Sequence, residues 1–229
     1  MSIKKTYNFY LFDADNTLFD FNKAEEHALS ASFESYGLAY SPGVLQAYRD
    51  INAVLWPALE RGEITLAFLK TERYRRLFDQ FGIGEDPSIF NKTYLYNLGQ
   101  GCFPNAGAVA LCKALYNAGK KIYIATNGIR SVQNQRVKGS EIAPYISDIF
   151  ISEQLGYNKP SPQFFNMAFV KVPDLKRSET LMIGDSLGAD IQGGINAGID
   201  TAWYNPQGLP NTHNITPTYE IKSLREVFS

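Results

Sequence analysis

Four short segments carry the residues that could do chemistry. Asp13-Ala14-Asp15-Asn16-Thr17 sets two carboxylates two positions apart. Thr126-Asn127-Gly128 offers a hydroxyl and a carboxamide. Asn158-Lys159-Pro160 offers an ammonium, and Gly184-Asp185-Ser186-Leu187-Gly188-Ala189-Asp190 two further carboxylates. Four carboxylates gathered at one place repel one another, and some must stay protonated unless a cation intervenes. An all-oxygen, carboxylate-rich donor set favours Mg²⁺ over Zn²⁺, which prefers His and Cys. The two histidines, His27 and His213, follow none of the expected strands. A lysine and a threonine beside a magnesium site suit an oxyanion with several oxygens, such as a phosphoryl group. Of Asp13 and Asp15, one could attack phosphorus while the other holds a proton for the leaving alcohol.

Such residues act together only if the chain gathers them. Short apolar runs at Tyr7–Phe12, Lys121–Ala125, Asp148–Ile151, Leu181–Ile183 and Thr201–Tyr204 read as strands buried on both faces, as in a parallel sheet. Between them lie helical patterns: Ala106–Asn117, a helix opened by Ser161-Pro162, and Leu187–Ala197 closing at Gly198. Strand and helix in alternation predict an α/β fold, a Rossmann-like doubly wound parallel sheet. Ligands of such sheets bind beyond the carboxyl ends of the strands, where three of the four segments stand. The region between the first strand and Pro104 breaks the rhythm. It shows helical patterns at Lys23–Tyr36, Pro42–Arg61, Leu66–Phe81 and Pro87–Leu98, punctuated by Gly37, Gly62 and Gly82-Ile83-Gly84. The expected division is a core over 1–20 and 101–229 with an inserted all-helical domain over 21–100. Asn205–Thr218 reads as a surface loop before a short terminal helix.

Composition narrows the function classes. The 229 residues carry 22 Lys+Arg against 23 Asp+Glu, a net charge of −1. That balance argues against a coat for polymeric nucleic acid and against a membrane-surface binder, since both need excess cationic residues. No apolar stretch reaches the roughly 20 residues of a membrane span. Cys102 and Cys112 form no C-x-x-C pair and no disulfide framework, which points to a cytoplasmic protein.

The set Asp13-x-Asp15-x-Thr17, Thr126, Lys159-Pro160 and Gly184-Asp185-x₄-Asp190 resembles the haloacid dehalogenase superfamily, and the helical insertion after the first segment resembles its first cap type. The resemblance implies a Rossmann-like core, a mobile cap and Mg²⁺-dependent phosphoryl transfer through an aspartyl-phosphate. By position, Asp13 would be the nucleophile and Asp15 the general acid/base. Thr126, Asn127 and Lys159 would bind the phosphoryl oxygens. Asp13, Asp15 through its backbone carbonyl, and Asp185 would hold the metal, with Asp190 supporting it directly or through water. Dehalogenase members lack an acid at the position of Asp15, so this residue implies a phosphatase or a mutase. Asn16 stands where Gly or Asp is common in the family.

Leu18-Phe19-Asp20-Phe21, Ile51-Asn52-x-x-Leu55-Trp56, Gly62-Glu63-Ile64-Thr65 and Asp190–Gly198 resemble the pyrimidine 5′-nucleotidase branch, the YjjG/YfnB group. That resemblance implies a 5′-nucleotidase acting on small phosphorylated metabolites as a monomer or homodimer. Phe19, Phe21, Tyr48 and Trp56 could stack a nucleobase, against the alternative that they pack the cap. Competing readings are a sugar-phosphate or phosphoglycolate-type phosphatase, a phosphomutase, a signalling receiver, or a binding module. A receiver lacks both a counterpart of Asp15 and the insertion.

Overall fold

The structure is a computed structural model and describes residues 3–212 and 214–228, so His213 lies outside the described residues. The chain forms two compact units, Met1–Phe21 with Cys102–Ser229, and Asn22–Gly101.

The first unit is built on six parallel strands. They are β1 (Phe9–Phe12), β2 (Lys121–Thr126), β3 (Ile146–Ile151), β4 (Thr180–Gly184), β5 (Asp200–Tyr204) and β6 (Tyr219–Ile221), in spatial order β3-β2-β1-β4-β5-β6. Successive side chains of a strand point to opposite faces, and the core divides accordingly. Tyr10 and Phe12 of β1, Ile122 and Ile124 of β2, and Leu181 and Ile183 of β4 pack on one face with Leu111, Cys112 and Leu115. Leu11, Tyr123, Ala125 and Met182 pack on the other with Phe164, Phe165 and Ala168. Both faces are therefore apolar, which is why these strands read as unbroken hydrophobic runs. Each fully buried Leu, Ile or Phe contributes about 1.5–3 kcal/mol.

The second unit holds α1, which begins at its edge (Phe21–Ser35), α2 (Pro42–Glu60), α3 (Leu66–Phe81) and α4 (Pro87–Gln100). Ser41, Thr65 and Asp86 each accept a backbone N–H at a helix start, and Gly82 ends α3 in the left-handed region at φ 65°. Tyr48, Tyr74, Phe78, Phe90 and Tyr94 are buried against one another. Arg73 lies within this cluster, 4.9 Å from the Tyr74 ring centre, and donates to Asn91 Oδ1 at 2.7 Å. Tyr48 is thus core, and unavailable to a base.

Back in the first unit, the helices are α5 (Ala108–Asn117), α6 (Arg130–Gly139), α7 (Ser152–Leu155), α8 (Pro162–Lys171) and α9 (Gln192–Asn196). Three expectations need correction. The helix expected over Leu187–Ala197 is instead a π-helical turn, Leu187–Ile191, followed by α9. Ser186 O accepts both Asp190 N and Ile191 N, which accommodates one extra residue in the turn. The terminal helix is a 3₁₀ turn, Leu224–Glu226, and the short edge strand β6 precedes it. Strand β6 lies beyond a Pro/Asn/Thr-rich stretch and has three residues, too few for a period to show. Helix α6 is the third, absent from the sequence reading because its buried face includes Gln133 and Arg136.

No described helix is long and apolar enough to cross a membrane, and no disulfide joins Cys102 to Cys112. Gly194 in α9 sits where an added Cβ would lie 2.4 Å from Thr201 Cγ2 and 3.3 Å from Met182 Cβ. Gly194→Ala should lower stability by about 1–3 kcal/mol in urea unfolding. Gly188→Ala, whose Cβ meets nothing within 4 Å, should stay within about 0.5 kcal/mol of the parent. Equal stability of all three proteins would show that the helix–sheet contact has slack.

Candidate active site

Three neighbouring strands deliver the site. β2, β1 and β4 end at Thr126, beside Asp13 and beside Asp185, respectively. Asp13 N donates to Ile183 O at 2.8 Å, so the nucleophile candidate still rides on the sheet ladder. Asn16, at φ 59°, turns the chain away from the strand. Asn tolerates this left-handed conformation better than most residues, which explains how it stands where Gly or Asp is common.

Lys159 is the centre of the cluster. Its Nζ donates to Asp13 Oδ1 at 2.7 Å, Asp190 Oδ1 at 2.6 Å and Ala125 O at 2.6 Å. Its backbone is fixed by Asn127, whose Oδ1 accepts Lys159 N at 2.8 Å while its Nδ2 donates to Lys159 O at 2.9 Å. The Asn127 carboxamide is thus committed to the lysine backbone, and any phosphoryl contact from Asn127 falls to its backbone N–H. Thr126 is buried, and its Oγ1 accepts Gly128 N at 3.0 Å, so its hydroxyl hydrogen points elsewhere.

Asp13, Asp185 and Asp190 each offer an oxygen, and these atoms lie within 4.8 Å of one another. Asp190 Oδ2 accepts Ser186 N, and an added Cβ on Gly184 would lie 2.1 Å from that oxygen, so glycine there makes room for the acid. Burial pushes the Asp13 carboxyl well above its usual range, Asp190 and Asp185 push it further, and Lys159 opposes them. Burial also raises Asp185, to about 7, with Asp190 adding to it. For Lys159 burial opposes the charge, but Asp13 and Asp190 outweigh it and its pKa is raised. Three carboxylates thus face one ammonium. An all-oxygen set with surplus negative charge fits a hard divalent cation.

Asp15 stands apart from that group. Its Oδ2 accepts Gln133 Nε2 at 2.6 Å, and its Oδ1 accepts Arg136 Nη1. Its side chain therefore does not join the three acids, and any metal contact from this residue falls to its backbone. Of the aromatic candidates, Phe19 is fully buried in the first unit's core. It is not in the helical unit and is closed to a base, so that expectation is corrected. Phe21 also belongs to the first unit rather than the helical one, and both it and Trp56 are partly exposed.

Gln133 and Arg136 were missed in the sequence. Their one signal is a polar pair at helical i, i+3 spacing shortly after Thr126-Asn127-Gly128.

A family model described as haloacid dehalogenase-like hydrolase matches residues 7–198. The chain is similar to pyrimidine 5′-nucleotidase PynA of Streptococcus pneumoniae, 41% identical over 225 residues, covering 96% of this chain and 93% of the relative. It is also similar to pyrimidine 5′-nucleotidase YjjG of Escherichia coli, 32% identical over 221 residues and 96% of each chain. The structure is similar to that of the HAD-hydrolase YfnB from Bacillus subtilis, described as bound to magnesium and as revealing interdomain movement. There the TM-score is 0.90 at 38% identity, over 97% of each chain.

The raised Asp185 has a consequence for stability. An unfolded aspartate loses its proton near pH 4, whereas the folded one keeps it to about 7. Between those values the folded state binds more protons, so this group's contribution to stability falls as pH rises. In chelated buffer, Asp185→Asn should therefore gain melting temperature relative to the parent as pH climbs from about 4 to about 7. A gap that stays flat or reverses over that window would show that burial does not govern this carboxyl.

Proposed function

The chain belongs to the haloacid dehalogenase-like hydrolases, and on that premise we propose that it is a Mg²⁺-dependent cytoplasmic phosphatase hydrolysing nucleoside 5′-monophosphates. The observation that carries the reading is the buried Lys159 ammonium, which bridges Asp13 at the end of β1 and Asp190 after β4. A carboxylate nucleophile beside a fixed cation suits attack on an anionic phosphorus centre.

In this reading an Asp13 oxygen forms a bond to phosphorus, and the bond from phosphorus to the leaving alcohol breaks. Asp15 passes its proton to the leaving oxygen, which departs as the alcohol. Water then attacks the aspartyl-phosphate, Asp15 takes up the water's proton, and inorganic phosphate leaves with Asp13 restored. Thr126 binds a phosphoryl oxygen through its hydroxyl, and Lys159 does so by exchanging its hydrogen bond to Asp13 for one to the phosphoryl group. Asp13, Asp185, the Asp15 backbone carbonyl and Asp190 would hold Mg²⁺, which would neutralise negative charge as the phosphoryl group approaches. Support for magnesium comes from the donor set and from the magnesium-bound relative YfnB.

The motif residues recognise a phosphoryl group and a cation, so the choice of leaving group belongs elsewhere. We assign it to the helical unit, as a cap, with Trp56 as a base-stacking residue. Similarity over nearly the whole chain to two proteins named pyrimidine 5′-nucleotidases supports small pyrimidine nucleotides as substrates.

Phosphate release from UMP should require Mg²⁺ and stop in excess EDTA. Asp13→Asn should fold normally by circular dichroism yet lose about 10³-fold or more in kcat. Substantial turnover by that variant would remove Asp13 from the nucleophile role, and full activity in EDTA would remove the metal.

Trp56→Ala should lower kcat/KM for UMP by about one to two decades, the worth of one stacked base, while sparing p-nitrophenyl phosphate. Equal loss on both esters would make Trp56 a packing residue. A higher kcat/KM for hexose phosphates than for any nucleotide would leave the phosphatase reading standing without the nucleotidase one.

A further inference from the structure

We propose that Gln133 and Arg136 are positioning residues that hold the Asp15 carboxyl in the orientation from which it serves the leaving alcohol. This inference rests on the phosphatase reading above.

The two side chains stand one helical turn apart on α6, so they share a face. Each grips a different oxygen: Gln133 Nε2 reaches Oδ2 at 2.6 Å, and Arg136 Nη1 reaches Oδ1. Gln133 and Arg136 are almost wholly buried, whereas the Asp15 side chain keeps 27% of its surface exposed. The acid is thus held from behind with an open side left for a reactant.

The grip is itself braced. The Arg136 guanidinium lies 4.9 Å from the centre of the buried Phe19 ring. Phe19 closes the same loop as Asp15, through Asn16 N to Phe19 O at 2.7 Å. Gln133 packs where a Cβ on Gly128 would lie, 2.2 Å from its Nε2. Gly128 is therefore the glycine that admits the Gln133 side chain.

The donor chemistry also separates the two oxygens. Arg136 has donors and no acceptor, so the oxygen it holds stays an acceptor. The proton that Asp15 passes to the leaving alkoxide then rides on Oδ2, beside Gln133. The Gln133 amide N–H can donate to Oδ2 whether or not that oxygen carries the proton, so Oδ2 stays held while its proton points to the open side.

The test uses two esters with different leaving groups. A nucleoside alkoxide needs a proton to depart, and p-nitrophenolate does not. Gln133→Leu, Gly128→Ala and Arg136→Lys are assayed with Mg²⁺ by kcat/KM, which covers the steps up to leaving-group release. On UMP the Gln133→Leu loss should be about 10- to 100-fold, with a much smaller loss on p-nitrophenyl phosphate. Added to Asp15→Ala, Gln133→Leu should cost nothing further on UMP, because both act through one group. Equal losses on the two esters, or additive losses in the double variant, would overturn the inference and leave Gln133 a structural residue. If Arg136→Lys fails to fold, Gln133→Leu and Gly128→Ala still decide. A parent protein that releases phosphate from neither ester would overturn the phosphatase reading, and this inference with it.

Discussion

Burying one ammonium among carboxylates is the constraint around which the active-site region is arranged. Lys159 Nζ has its three hydrogens directed to Asp13, Asp190 and the Ala125 carbonyl. An ammonium taken out of water is tolerated only with near-complete satisfaction of this kind, and removing one partner of a buried pair typically costs about 3–5 kcal/mol. Much of the surrounding detail serves that requirement. Asn127 clamps the lysine backbone from both sides. Gly184 clears space for Asp190, and the π turn after it carries that acid back under the sheet end to meet the lysine. The conformation that satisfies Lys159 is the one that places Asp13.

Sheet order brings segments far apart in the sequence together in space. The chain leaves β1 to build β2 and β3 on one side, then returns to build β4, β5 and β6 on the other. Beside β1 the winding reverses, and in open α/β sheets such a reversal opens a crevice beyond the strand ends. The first, second and fourth segments reach that crevice from β1, β2 and β4. Lys159 arrives from the loop ahead of α8, fixed by Asn127 of the second segment.

The parts legible in the sequence are those whose physics is local. Strands β1 to β5 appear as apolar runs because both faces of the sheet are covered. The span of α3 coincides with its expected one, since Thr65 and Gly82 cap it with strong local preferences. Asp13, Thr126, Lys159, Asp185 and Asp190 are legible because their types and order are distinctive together. What escaped depends on tertiary partners. Helix α6 shows only Val132 and Val137 as buried apolar residues, because Gln133 and Arg136 take the rest of its buried face and bond to Asp15. Asn127 carries the right residue type for a phosphoryl ligand, and only its reciprocal bonds to Lys159 reveal that its side chain is engaged elsewhere. Phe19 looks like a base-stacking aromatic until its complete burial beneath Arg136 is seen.

The two places where the chain of the first unit is interrupted lie side by side. Asp20 N donates to Phe103 O at 2.8 Å, Phe19 bridges Pro104, and Asn105 N donates to Leu18 O at 2.8 Å. The outgoing and returning strands are thus stitched together before the Asn22–Gly101 segment begins. A loop whose ends are already joined adds little closure entropy as it lengthens, since each doubling costs only about 0.6 kcal/mol. The insertion point therefore behaves as a socket. Over evolutionary time a shorter, longer or unrelated segment could be seated there while the Asp13 loop and the six strands keep their register.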